Sequence, residues 1–384
     1  MLELSYCMGH DEELYAWVRQ QFPSNAQGLS IALIAGDASP RRYYRVKADT
    51  SDGGVDSAVK TGADNGVNSV VNLSSDSTVS WIAVLSPPSE KFAEFIHVQG
   101  LLARAGLRVP ALLAADLERG FMLLEDLGDT QLLAVLTDST VASLYTQSLA
   151  MLVNTAGIPI EQAQLPVYDV SLLKQELDLF PEWFMAQLLS GPLLKESRKV
   201  FDTFSDYLIA SATGQPQVVV HRDFHSRNLM LLENNAIATI DFQDAVIGPV
   251  TYDPASLLKD CYVAWPRAMQ LRLLDQHRAG LEACGVMPAT DSEQFVRWFD
   301  LMGLQRHIKC LGIFARLSIR DDKHAYLGDL PLVLAYVGDT LSLYKDGDAA
   351  ISDFAHWFDA VVMPLCEQQS WYRPVVLEPS MAAQ

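Results

Sequence analysis

The chain has little cysteine, too few basic residues to balance its acids, and no cysteine pair of metal-binding spacing. Its five cysteines are odd in number, widely spaced and without a C-x-x-C pair, which predicts a reduced protein without a structural zinc cluster. The 28 basic residues against 47 acidic ones give a formal charge of −19. Such a charge repels nucleic-acid phosphates and anionic lipid, so we expect neither nucleic acid nor a membrane as a partner.

The sequence also lacks the features of an exported or membrane-spanning chain. Glu3 stands where a signal peptide needs a basic region, and no apolar region follows it. The longest uncharged run, 139–160, is interrupted by polar residues, and its apolar residues recur at helical spacing. We therefore expect a buried amphipathic helix there and a cytoplasmic protein.

The pattern of apolar residues changes once along the 384 residues. A helical segment and short β-branched or aromatic runs dominate 1–125, whereas 126–384 consists mostly of long amphipathic segments. The pattern predicts an α+β fold of two lobes, a small five-stranded antiparallel sheet lobe and a mostly helical large lobe. The strand-like runs are 29–35, 42–48, 79–85, 112–117 and 120–125 in the first lobe, and 217–220, 229–232 and 236–240 in the second.

Residues 49–78 differ from everything around them. They contain no aromatic residue, almost no large apolar residue, and many Gly, Ser, Asp and Asn. Such a segment buries too little apolar surface to offset the entropy lost on ordering. We predict a flexible insertion in a hairpin of the first lobe.

The strongest chemical signal is one loop and one strand end in the second half. His221-Arg-Asp223 is followed by Asn228, and Asp241-Phe242 follows an apolar strand. H-R-D-x-x-x-x-N followed by a D-F pair is the arrangement of a kinase catalytic loop and metal loop. Phosphoryl transfer needs a carboxylate beside the attacking hydroxyl and oxygen ligands for Mg²⁺. The spacing therefore predicts a phosphotransferase site.

Two other interpretations of these residues are weaker. A single Asp or Asn in a turn usually caps backbone amides, but the joint match of typed positions is not explained by capping. His221 and His225 are four apart, as in a zinc pair, but the zinc motif needs a glutamate where Arg222 stands.

These motifs resemble the aminoglycoside phosphotransferase and choline kinase-like family. The resemblance is carried by 221–228, by 240–245 and by 248–256. Within the family, the chain is most similar to the kinases of bacterial cell-wall recycling that phosphorylate the anomeric hydroxyl of N-acetylmuramate and N-acetylglucosamine. That narrower resemblance adds the blocks 37–45, 109–110, 120–128, 179–183 and 305–316. It implies a protein kinase-like bilobal fold, with a nucleotide-binding lobe over 1–125 and a catalytic, acceptor-binding lobe over 126–384.

The resemblance assigns roles by position. It implies Asp223 as the catalytic base, with His225 orienting the loop beside it, and Asn228 and Asp241 as ligands of Mg²⁺. Asp253 resembles the acid that braces the catalytic loop from a following helix.

The nucleotide-binding residues depart from the kinase pattern. The backbone of Glu125 to Leu127 is the implied hinge that binds the adenine of ATP. There is no G-x-G-x-x-G, so the backbone amides of 36–40 and the Ser39 hydroxyl are expected to cover the phosphates. The third strand has no lysine where V-A-I-K places one. Arg41, Arg42 and Arg45 are the nearest cations, and on a strand Arg41 and Arg45 share one face while Arg42 takes the other. Glu94, on the helix that follows Pro88, is the candidate carboxylate partner for such a cation.

The acceptor remains open at this point. The leading hypothesis is an ATP- and Mg²⁺-dependent kinase of an amino-sugar hydroxyl, and the alternative is a kinase of an aminoglycoside, choline or another amine alcohol. Glu176, Trp183 and Arg306 are the candidate acceptor residues. A non-catalytic nucleotide-binding protein is a lesser alternative, since such proteins are expected to lose the base or a metal ligand, and all three are present.

Overall fold

The chain forms two compact units. The computed structural model describes residues 2–22, 28–34, 41–49, 78–87, 90–191 and 195–377. One unit is Met1–Thr130 with Met230–Asp244, and the other is Gln131–Leu229 with Ala245–Gln384. The sequence predicts one boundary, at 125/126, whereas the first unit also includes the later segment Met230–Asp244.

The first unit is built on a five-stranded antiparallel sheet. The order of its strands is β1-β2-β3-β5-β4, so the last hairpin, β4–β5, pairs with β3 through its second strand and leaves β4 at the edge of the sheet. The strand number and direction predicted from the sequence are confirmed. The strands are β1 (Ser30–Leu33), β2 (Arg42–Asp49), β3 (Thr78–Leu85), β4 (Leu112–Asp116) and β5 (Phe121–Glu125).

Helix α1 (Leu2–Gln21) covers one face of this sheet. Its buried residues Leu14, Trp17 and Val18 follow helical spacing and pack with alternate residues of β2 and β3. A second helix, α2 (Phe92–Arg104), buries Phe92, Phe95, Val98, Leu101 and Leu102 at the same kind of spacing. Both helices therefore arise from apolar stripes that the sequence displays.

Alternation along β2 separates its arginines. Arg42 lies on the α1 side, where it donates to both carboxylate oxygens of Asp11 at 3.0 and 2.8 Å. Arg45, three residues on, binds Asp126 and Asp129 instead. The opposite placement of Arg42 and Arg45 expected from the period of a strand is confirmed.

The second unit is mostly helical. It begins with a 3₁₀ turn at Leu132–Val135. Its α-helices are α3 (Val141–Ala156), α4 (Ile160–Ala163), α5 (Val170–Leu179), α6 (Lys195–Thr213), α7 (Tyr252–Leu258), α8 (Arg267–Ala283), α9 (Ser292–Arg320), α10 (Leu330–Tyr344), α11 (Ala349–Trp357) and α12 (Met363–Cys366). The predicted amphipathic helix within 139–160 is confirmed as α3. Among the described residues, no helix is long and apolar enough to cross a membrane.

Helix α5 does not end at Leu179 but continues as a π-helix over Phe180–Leu188. Pro181 stands at its start and cannot donate a backbone hydrogen bond, which favours a wider turn over a regular α-helix. Helix α9 packs closely here. A Cβ atom at Gly312 would lie 2.4 Å from the Leu179 carbonyl carbon, so only glycine allows this approach.

Two small sheets complete the second half of the chain. β6 (Gln217–Val220) pairs antiparallel with β9 (Val246–Pro249). β7 (Leu229–Leu231) pairs with β8 (Ile237–Thr239). The sequence pattern predicts β6, β7 and β8 but not β9, because Gly and Pro occupy the end of β9 and resemble a turn.

The insertion expected at 49–78 falls mostly outside the described residues, but its two ends do not. β2 and β3 stay paired up to Asp49 and Thr78. We predict that replacing 50–77 with Asn-Gly, the residues of a tight hairpin turn, leaves the melting temperature unchanged or raises it. Shortening this connection lowers the entropy cost of closure by roughly 2 kcal/mol. Differential scanning calorimetry measures the change.

The control variant carries the same replacement and also lacks Ala48 and Val79, which face each other in the pairing of β2 with β3. Ala48 is buried in the core beneath α1, so this variant should melt at a lower temperature. A drop of more than about 5 °C for the 50–77 replacement alone contradicts the prediction.

Candidate active site

The loop predicted to be catalytic, residues 221–228 and called the catalytic loop below, leaves the buried strand β6 and is held at its start by Asp253 of α7. The backbone N–H groups of His221 and Arg222 donate to the two carboxylate oxygens of Asp253 at 2.7 and 2.9 Å. Arg222 has a φ of 81°, a left-handed conformation that a non-glycine residue adopts only when its surroundings hold it. Asp253 supplies that restraint.

Burial governs the charge of this brace. Asp253 is only 4% exposed, and burial raises its pKa to about 7, although the two backbone donors favour the ionised form. The negative charge of Asp223 raises the pKa further, and Arg306 lowers it. The brace and the predicted base are thus close enough to sense each other's charge.

The Arg222 side chain enters a buried charge cluster. Glu176 of α5 forms ion pairs with Arg222 and with Lys309 of α9, the latter at 2.9 Å. The Tyr168 hydroxyl donates to the same carboxylate. Burial alone would raise the pKa of Glu176, but Lys309 and Arg222 outweigh it and lower the pKa. Glu176, expected at the acceptor, is therefore an ionised partner of the catalytic loop in this structure.

The rest of the loop is a tight turn around the Asp223 carbonyl oxygen. That oxygen accepts from the backbone N–H of His225 at 3.2 Å and from the Asn228 side-chain nitrogen at 3.0 Å. The Asn228 backbone N–H donates to the His225 carbonyl at 2.9 Å. The side chains of Asp223, His225 and Asn228 are all half-buried. The loop therefore presents three polar side chains from one rigid turn.

Asp241 belongs to the first unit and follows β8. Its φ of 62° is also left-handed, and Oδ1 of its carboxylate accepts from the Gln243 side chain at 2.8 Å. The next residue, Phe242, is fully buried with its ring 4.9 Å from that of Phe95 on α2. This packing fixes the backbone that carries Asp241.

Arg41, just before β2, is a buried cation of the first unit, and like Asp241 it acts on the Tyr43 hydroxyl. It is 3% exposed, and its guanidinium lies 3.5 Å from Glu90 and 5.7 Å from the Phe95 ring centre. Burial raises the pKa of Tyr43, and Arg41 and Asp241 act on that hydroxyl with opposite sign. Arg41 and Asp241 therefore both lie close enough to Tyr43 to act on its hydroxyl. Glu94, the glutamate suggested by the sequence, is exposed on α2.

Arg45 and the hinge form a separate ionic group. Arg45 contacts Asp126 at 2.6 Å and Asp129 at 2.7 Å, and these carboxylates raise its pKa. The Glu125 side chain pairs with Arg108, and Leu127 is half-buried. The adenine-binding role of the Glu125 and Leu127 backbone stays a prediction. Ser39 lies outside the described residues.

Two further acceptor candidates occupy different environments. Trp183 is half-buried on the π-helix that continues α5. Arg306 of α9 is 6% exposed and lies 5.2 Å from the Tyr252 ring centre, and its Nε and Nη1 atoms have no hydrogen-bond partner among the described residues. Lys309, one helical turn away, was not singled out from the sequence. No local pattern distinguishes it, because its partner Glu176 is distant along the chain.

The predicted metal ligands suit Mg²⁺ by their chemistry. A carboxylate from Asp241 and an amide oxygen from Asn228 are hard oxygen ligands, and Mg²⁺ usually takes only one or two protein carboxylates beside waters and phosphates. Because the Asn228 nitrogen donates to the Asp223 carbonyl, the orientation of the amide is fixed. Within the described ranges, no group of three or more His, Cys, Asp or Glu side chains forms an all-protein metal site.

Comparison with known proteins agrees with these features. Residues 30–291 match the model of the phosphotransferase enzyme family. An N-acetylmuramate/N-acetylglucosamine kinase from Pseudomonas putida is 37% identical over 338 residues, which cover 86% of this chain and 91% of the relative. These matches confirm the family resemblance found in the sequence.

Solved structures support the fold. A choline kinase from Cryptosporidium parvum superposes with a TM-score of 0.58 at 14% identity, covering 91% of this chain and 99% of the other. An ADP-bound aminoglycoside phosphotransferase gives a TM-score of 0.53 at 13% identity, covering 86% and 99%. The expected α+β kinase-like fold is confirmed.

Arg41 and Arg45 differ in their surroundings, and the difference can be tested. Arg41 is buried and acts on Tyr43 together with Asp241, whereas Arg45 is paired with two carboxylates, so we predict that Arg41 binds the phosphates of the nucleotide. Arg41→Met should raise the apparent KM for ATP at least tenfold, because removing a buried cation from a multiply charged ligand is costly. Arg45→Met, the matched control, should change it less than about threefold. Equal effects, or the reverse order, contradict the assignment.

Proposed function

The chain belongs to the phosphotransferase enzyme family and is a kinase, and we propose that it transfers the γ-phosphoryl group of ATP to the anomeric hydroxyl of N-acetylmuramate and N-acetylglucosamine. The observation that carries this proposal is the 37% identity to the N-acetylmuramate/N-acetylglucosamine kinase of Pseudomonas putida, over an alignment that covers 86% of this chain. The ADP-bound structural relative supports the use of a nucleotide.

The charges around the catalytic loop favour such a sugar over an amine alcohol. Arg222, Arg306 and Lys309 lie in or beneath the loop, and Glu176 is already shared by two of them. A cationic acceptor would need carboxylates here that are not already paired with cations of the protein. A neutral sugar, or one that carries a carboxylate, meets no such conflict.

The roles of the chain's own residues follow from the site. In this proposal Asp223, on a loop held by Asp253, aligns the acceptor hydroxyl and takes its proton as the new bond forms. Asn228 and Asp241 are the residues that would hold Mg²⁺, and the metal would supply positive charge that neutralises the phosphates. Arg41 supplies the positive charge that kinases usually take from a strand lysine.

The direct test is turnover on an acceptor panel. N-acetylmuramate, N-acetylglucosamine, choline, ethanolamine and kanamycin are each incubated with Mg²⁺ and ATP, and ADP release is followed with a coupled assay. We expect kcat/KM to be at least a hundredfold higher for the two amino sugars, with ³¹P NMR showing a phosphate on the anomeric carbon. Preference for an amine alcohol, or phosphate at another hydroxyl, overturns the proposal.

Two carboxylates of the site should give opposite phenotypes. Asp241→Asn should weaken binding of a non-hydrolysable ATP analogue with Mg²⁺, and extra Mg²⁺ should partly restore it, because the lost interaction is affinity. Asp223→Asn should leave that binding nearly intact and lower turnover by roughly 10²–10⁴ at any Mg²⁺ concentration. Isothermal titration calorimetry beside steady-state kinetics measures both, and exchanged phenotypes show that the roles are assigned backwards.

A further inference from the structure

A second buried carboxylate, Asp260, holds the later half of the catalytic loop. Its Oδ2 atom accepts from both the backbone N–H and the hydroxyl of Ser226, at 2.9 and 2.5 Å. The Ser226 carbonyl oxygen accepts from the backbone N–H of Leu133 at 3.1 Å. Asp260 is 1% exposed and Ser226 is fully buried. Every polar group of Ser226 therefore has a fixed partner.

The neighbouring Tyr262 contacts both residues that flank Ser226. Its ring centre lies 5.4 Å from that of His225, and the guanidinium carbon of Arg227 lies 3.6 Å from the ring centre on a cation–π contact. The Tyr262 backbone N–H donates to the other oxygen of Asp260 at 3.1 Å. One short segment thus contacts three consecutive residues of the loop.

This segment is itself anchored in the helical core. Lys259 is buried and its Nζ atom lies 2.7 Å from Asp300 of α9. The Lys259 carbonyl oxygen is 2.9 Å from Nε2 of the His307 ring. The position of Asp260 is therefore set by α9 and not by the loop that it holds.

We propose that Asp260 is a positioning residue for Asn228, acting through Ser226. Asp253 fixes the start of the loop, at His221 and Arg222, whereas Asp260 fixes the turn two residues before Asn228. Residues that orient a metal ligand from behind typically contribute 10–100-fold to metal affinity. The inference rests on the proposed role of Asn228 in holding Mg²⁺, and it assigns to Asp260 a control of metal binding that the base Asp223 does not share.

The test uses Mn²⁺ as a probe for the metal. Binding of Mn²⁺ to the full-length protein with ADP is followed by the loss of the free Mn²⁺ signal in electron paramagnetic resonance. Asp260→Asn keeps the shape of the side chain but leaves either Ser226 or Tyr262 facing an NH₂ group. We expect the Mn²⁺ Kd to rise at least tenfold. Ser226→Ala loses only the hydroxyl bond, so about a threefold rise is expected.

Phe204→Leu is the control for a general loss of stability. Phe204 of α6 is fully buried, and its ring stacks on that of Phe354 of α11 with the ring centres 3.8 Å apart, a contact that involves neither the catalytic loop nor the segment around Asp260. This variant should melt at a lower temperature with a Mn²⁺ Kd within about threefold of the unaltered protein. If Phe204→Leu weakens Mn²⁺ binding as much as Asp260→Asn does, the effect is general and the inference is overturned.

The failures of the two proposals are distinguishable. If the unaltered protein binds no Mn²⁺ with ADP, the proposed function fails and this inference fails with it. If the unaltered protein binds Mn²⁺ and Asp260→Asn binds it equally well, only the positioning role of Asp260 is overturned.

Discussion

Two backbone N–H groups donated to one buried carboxylate are the interaction on which the catalytic loop depends. A buried carboxylate is costly unless donors surround it, and Asp253 obtains those donors from His221 and Arg222. In return, the left-handed backbone of Arg222, which costs roughly 1–3 kcal/mol on its own, is held in place. Each partner removes a penalty from the other. Such reciprocal restraint explains how Asp223, the proposed base, keeps one orientation on a loop with no regular secondary structure.

The proposed replacement of the missing strand lysine by Arg41 illustrates how one physical requirement can be met from another position. A guanidinium is planar and permanently charged, and it can contact a carboxylate, a carbonyl and an aromatic face together. Arg41 does this with Glu90, the Lys91 carbonyl and Phe95. A lysine has neither the fork nor the flat face. An arginine at the entry of β2 is therefore suited to a site whose anchor, Glu90, lies before α2 instead of on it.

The sequence predicts what depends on local periodicity and motif spacing, and it misses what depends on distant packing. Strand alternation alone separates Arg42 from Arg45, and the spacing from Asp223 to Asn228 identifies the loop. The choice between Glu90 and Glu94 depends on where α2 begins, which no residue pattern marks. The pairing of Glu176 with Lys309 requires α5 and α9 to pack closely, and the glycine that permits this contact, Gly312, carries no sign of its role in the sequence.

The acidity of the chain as a whole does not set the charge that a ligand meets at the catalytic loop, because electrostatic interactions between exposed charges are screened over short distances. At physiological ionic strength the Debye length is about 8 Å, so exposed acids elsewhere add little to the field within a partly buried site. Lys309 is buried and Arg222 is half-buried, and both form ion pairs with the buried carboxylate of Glu176. A net charge of −19 thus repels polyanions from the surface as a whole, whereas the proposed acceptor, a small sugar, would meet the local arginine and lysine side chains at the loop.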